Sequence, residues 1–128
     1  IEHLAHPVRV LEKAARALKR GGVLAVSTGD IASLLARWRG ARWRQIHPPT
    51  HLFYFSPATL TAAFLKAGLR LESLRHPGQY RSLRGMIHKV FPAERFPRLG
   101  GLSTLGGGID FPVYLNLYAL IVAFARKK

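Results

Sequence analysis

The sequence predicts an α/β fold with helices packed on a sheet of parallel strands. Three observations carry this. Residues 7–19 (PVRVLEKAARALK) repeat apolar side chains at helical spacing, Gly21-Gly22 stops the repeat, and VLAVST at 23–28 follows at once. That last run is apolar, partly β-branched and free of polar alternation, as a strand covered on both faces would be. Helix, glycine pair and buried strand make half of a βαβ unit.

Each element follows from local chemistry. Pro7 suits the first helical position, where a missing N–H is harmless. Val8, Leu11, Ala15 and Leu18 form the apolar face of that helix, with the charges elsewhere. One glycine of the 21–22 pair is placed to take the left-handed conformation of a helix end. Gly29-Asp30 turns the chain at the carboxyl end of the strand, where open α/β sheets place ligands. Residues 31–39 (IASLLARWR) read as a short basic helix. Pro48-Pro49 then forces a loop, since neither proline fits a helix interior or a central strand. Ser56 and Pro57 restart a helix as cap and first residue, Leu60, Phe64 and Ala67 line its inner face, and Gly68 ends it. LRLESLRH at 69–76 has the alternation of a strand.

Pro77-Gly78 opens a less regular stretch. Leu83, Met86, Ile87, Val90 and Phe91 share a helical face, with Arg81, Arg84 and Lys89 mainly elsewhere, so a basic amphipathic helix is expected. It reads either as a lid or membrane-surface anchor, or as an ordinary packed insertion. Pro92 and Pro97 end it, Gly106–Gly108 forms a hinge, and one last strand is expected from about Pro112 to Ala125.

Bulk properties narrow the function. The chain has 128 residues, room for one small domain. It has no cysteine, which excludes disulfides, thiolate metal sites and cysteine nucleophiles, and fits a reducing, cytoplasmic setting. Twenty Lys and Arg stand against six acids, a net charge of +14. Such an excess favours polyanionic partners, although the basic residues are spread along the chain as a solvated surface would have them. No signal peptide is visible. The longest apolar run, VYLNLYALIVAFA at 113–125, is too short to span a bilayer and contains Asn116.

The order of signals is more specific than any one of them. IEHL is followed by HP, then ALKRGGVLAVST, Asp30, Trp43, and HPPTHLFYFSPATLTAAFLKAGL. This ordered set resembles the C-terminal half of class I S-adenosylmethionine-dependent methyltransferases, in the branch that includes ubiquinone-biosynthesis O-methyltransferases and many uncharacterised bacterial enzymes. The likeness covers residues 1 to about 76, and 106–125 more loosely. It implies a Rossmann-like sheet of parallel strands with a final antiparallel strand. It also implies that residues 1–128 are a partial domain lacking the glycine-rich, cofactor-binding N-terminal half, and that this piece alone is inactive. Residues 77–105 fall outside the pattern, as an insertion or lid.

By that resemblance Ile1, Glu2 and His3 lie near the cofactor, S-adenosylmethionine. The plainer alternative is that Glu2 and His3 only structure a strand-to-helix turn. His51 is the candidate catalytic residue. Methyl transfer to oxygen needs a proton removed from a hydroxyl, which histidine suits, and the prolines would hold the loop rigid. Otherwise His51 pins the loop through a backbone bond. Trp43, Tyr54 and Phe55 are candidate substrate contacts or core residues, with Trp38 and Phe53 beside them. No metal is expected from His3, His6, His47 and His51: no carboxylate neighbours His47 and His51, and the prolines between them keep them off one helix face. The expected partner is a small-molecule methyl acceptor, with oxygen as the accepting atom. Arg37, Arg39, Arg42 and Arg44, interleaved with Trp38 and Trp43, keep two rivals in view: a basic module for RNA or anionic membrane, and a non-catalytic relative.

Overall fold

The computed structural model describes residues 1–48, 50–90 and 110–128. Within the described residues the chain forms two units. The first comprises Ile1–Pro77 with Asn116–Lys128, and the second comprises Gly78–Leu115.

The first unit is a three-stranded sheet with two main helices. Helix α1 (Pro7–Ala17) starts on its proline and leads to β1 (Val23–Gly29). Gly21 takes φ +75°, the left-handed value at which a side chain would be strained. Helix α2 (Leu34–Arg39) is capped by Ser33, whose hydroxyl accepts the Ala36 amide, and a 3₁₀ turn follows at Gly40–Arg42. Helix α3 (Pro57–Lys66) opens with a reciprocal capping box between Ser56 and Thr59 and closes at Gly68, φ +76°. Strands β2 (Leu69–Arg75) and β5 (Leu120–Lys127) complete the sheet.

The order is β1–β5–β2, and both pairings are antiparallel. Val23 faces Arg126 and Gly29 faces Leu120 on one side of β5; Leu69 faces Lys127 and Arg75 faces Val122 on the other. Here the expectation of paired parallel strands is corrected. Because β1 and β2 each run opposite to β5, they point the same way, but the last strand lies between them and takes the hydrogen bonds of both. Among the described residues the one parallel pairing is the isolated bridge between Asp30 and Phe55. A bulge between Leu71 and Ser73 leaves Glu72 out of register, and its carboxylate receives the Arg126 guanidinium through two bonds of 2.8 and 3.0 Å from Nη2.

Helices α1 and α3 cover one face. Leu11 and Ala15 meet Leu60, Ala63, Phe64 and Ala67 above Leu69, Ile121, Ala123 and Ala125, with Leu24, Val26 and Leu71 packed at the margin. Phe64, Leu60, Leu69 and Ile121 are fully buried, and truncating one of these to alanine costs about 2–5 kcal/mol. Strand β1 alternates: Leu24, Val26 and Thr28 turn inward while Val23, Ala25 and Ser27 are exposed. The expectation that both its faces are covered is therefore corrected; the helical layer seen here covers one.

The single long final strand is also corrected. In the second unit β3 (Gln79–Ser82) pairs antiparallel with β4 (Pro112–Leu115), and helix α4 (Leu83–Val90) follows β3. Strands β4 and β5 thus belong to different sheets. Between them Tyr118 takes φ +51°, and its amide donates to the Asn116 side chain at 3.0 Å. Asn116 makes a turn there, where the apolar run alone suggested continuity. Pro49, Phe91, Pro92, Pro97 and the expected Gly106–Gly108 hinge lie outside the described residues.

Candidate active site at the carboxyl end of β1

The loop that precedes α3 is docked on the first residues of the chain. The amides of Leu52 and Phe53 both donate to the Glu2 carbonyl, at 2.8 and 3.2 Å. This brings His51 to residues 48 positions away. The His3 and His51 rings meet edge to face, with centroids 4.6 Å apart, and His47 stands 6.3 Å from His51.

Hydrogen bonds fix which ring nitrogens are available. His51 Nδ1 lies 2.6 Å from the Gln45 carbonyl, and His3 Nδ1 lies 2.8 Å from the Thr50 carbonyl. A carbonyl oxygen only accepts, so each Nδ1 carries the proton and each neutral ring keeps its lone pair on Nε2. Thr50 Oγ1 donates to the His47 carbonyl at 3.1 Å and accepts from His47 Nδ1 at 2.8 Å, which leaves His47 in the same state. His51 is half-buried; His3 and His47 are exposed.

Glu2 supplies the charge. Burial raises its pKa, and hydrogen bonds from its own backbone amide and the Thr28 hydroxyl lower it. Glu2, His3 and His51 bring donor atoms within 4.8 Å of one another. These are the residues that could hold a metal ion. Glu2 and His3 are consecutive in the sequence, and the loop adds His51 to them. An ion here would occupy the Nε2 lone pair that proton transfer requires.

The expected substrate contacts separate. Trp43 is 4% exposed, and its ring edge would stand 3.2 Å from a Cβ at position 29, so Gly29 is needed for that close approach. Phe55 is buried in the core cluster. Tyr54, at 36% exposure, is the one of the three open to a ligand.

A second histidine at this end of the strand was not evident from the sequence. Asp30, 4% exposed, accepts His76 Nε2–H at 3.0 Å on one oxygen and the Ala32 amide at 2.9 Å on the other. Its own amide donates to the Ala119 carbonyl. The His76 carbonyl receives the Asn116 side-chain amide at 2.8 Å, and its ring packs on Tyr118. The position of Asp30 at a strand end was a signal; its partner 46 residues away gave none.

The family described as "Methyltransferase domain" matches residues 1–74, a span that runs from Glu2 and His3 through the His51 loop to β2. The chain belongs to that methyltransferase family. Among solved structures it is similar to an S-adenosylmethionine-dependent methyltransferase from Thermotoga maritima, described as a possible histamine N-methyltransferase, with a TM-score of 0.52 and 23% identity. That likeness covers 98% of this chain and 50% of the other, so the chain spans half the length of the enzyme whose fold it shares. No curated protein matches it.

Proposed function

We propose that the protein carrying this chain transfers a methyl group from S-adenosylmethionine to an oxygen atom of a small-molecule acceptor, with His51 as the general base. One observation supports the reading: within the segment matched to the methyltransferase family, the loop brings His51, its Nδ1 held by the Gln45 carbonyl, together with Glu2 and His3.

The donor set fits part of that cofactor. An ionised carboxylate at Glu2 suits a cationic sulfonium, with Ile1 and His3 beside it. The glycine-rich turn and acidic residue that would cradle the adenosine are absent from these residues, which supports reading the chain as the second half of a Rossmann-like domain. When bound, S-adenosylmethionine supplies an electrophilic methyl group. The chain's own residues prepare the acceptor. His51 Nε2 accepts the hydroxyl proton, the Gln45 carbonyl keeps the ring oriented, and the Glu2 carboxylate favours the imidazolium that forms. Tyr54 is the exposed aromatic wall. Residues 77–105 are an insertion in this reading, which the separate unit Gly78–Leu115 supports.

The test is binding and turnover by the full-length protein. Calorimetry should detect S-adenosylmethionine, and a panel of hydroxyl acceptors should yield a methyl ether. Absence of cofactor binding would end the proposal.

A further inference from the structure

Helix α2 leaves two large apolar side chains uncovered. Its Ala36 points inward, while Leu34 and Trp38 are each 80% exposed. Residues four apart stand one above the other on a helix, so these two form a single apolar ridge. Scattered exposed apolar residues are ordinary; a tryptophan and a leucine together at such exposure on one ridge are not.

The surroundings of the ridge are cationic. Arg37, Arg39, Arg42 and Arg44 are all exposed, and no acidic residue occurs between Asp30 and Glu72. The Arg39 guanidinium lies 5.9 Å from the centre of the Trp38 ring. We propose that this surface docks the protein on an anionic lipid bilayer, with Trp38 and Leu34 entering the headgroup layer and the arginines pairing with lipid phosphates.

Both halves of the patch fit that partner. An indole prefers the membrane–water interface, where its ring is buried and its N–H stays wet. Arginines lay their stems along apolar surface and keep their heads at phosphate level. The acid-free stretch between Asp30 and Glu72 leaves this patch locally cationic, which an anionic leaflet attracts within a Debye length. A second copy fits poorly, because an isologous contact would press like-charged arginine clusters together. A polynucleotide answers the arginines and the indole but leaves the Leu34 side chain unused.

The experiment is vesicle co-sedimentation of the full-length protein at low salt, on phosphatidylcholine alone and on phosphatidylcholine with about one-third phosphatidylglycerol. Binding is expected on the anionic vesicles only. Arg37→Gln with Arg39→Gln should weaken it about 25-fold, at roughly fivefold per arginine. Trp38→Ala should weaken it roughly tenfold. Bromine-labelled acyl chains should quench Trp38 fluorescence, judged as the signal lost in Trp38→Phe. The substituted side chains are exposed, so circular dichroism and melting should match the parent. Several results would overturn the proposal: no binding to anionic vesicles, equal binding to neutral ones, or binding indifferent to these substitutions. It also fails if Trp38 is shielded from acrylamide in the free full-length protein, if Trp38→Ala dissolves a dimer, or if an oligonucleotide binds where vesicles do not.

Discussion

His51 and His76 both stand at the carboxyl end of β1, and their settings differ in kind. His51 rests on a backbone carbonyl and sits in a loop beside Glu2 and His3. His76 rests on the buried Asp30, whose second oxygen closes the turn into α2, and its own carbonyl is gripped by Asn116. A neutral partner orients an imidazole without tying it to a charge; a buried carboxylate also makes the imidazole part of the fold. We therefore assign chemistry to His51 and cohesion to His76, and substitutions should separate the two.

The largest effect is expected at His51. If the proposed reaction holds, His51→Ala in the full-length protein should cut turnover on a hydroxyl acceptor by ~10²-fold or more while the melting temperature barely moves. A near-normal rate would remove His51 from the chemistry. Asp30→Ala should do the reverse. It leaves the Ala32 amide and His76 without their partner, and should lower stability by about 2–3 kcal/mol in a denaturant titration. Turnover per folded molecule should persist; loss of turnover without loss of stability would place Asp30 in the chemistry instead.

Smaller effects test the frame around both sites. Ser56→Ala removes one side of the capping box and should cost about 1 kcal/mol. Unchanged stability would mean that water satisfies the Thr59 amide equally well. Last, a chelator should leave the methylation rate unchanged if the His51 lone pair serves as base; a rate abolished by chelation and restored by a divalent ion would make Glu2, His3 and His51 a metal site.

What could be read from the sequence was local. Pro7, Ser56-Pro57, Gly21 and Gly68 mark helix starts and stops through backbone chemistry alone, and the helices begin and end near them. The alternation at 69–75 gave β2 for the same reason. The misreadings involve partners distant in sequence. That β5 would enter between β1 and β2 depends on residues 45 and more positions away, and no local period encodes it. The break at Asn116–Tyr118 lacks a glycine or proline, and Tyr118 adopts its positive φ under the hydrogen bond to Asn116. At the site, His51 was legible as a histidine in a proline-stiffened loop. Its meeting with Glu2 was not, because the contact is made by backbone amides of Leu52 and Phe53 that carry no sequence signal.

The most direct test follows the label from methyl-labelled S-adenosylmethionine in the full-length protein, offered hydroxyl and amine acceptors together. The label is expected on oxygen as a methyl ether, and is expected to be lost in His51→Ala. Label on nitrogen alone, or label on oxygen that survives His51→Ala undiminished, would contradict it.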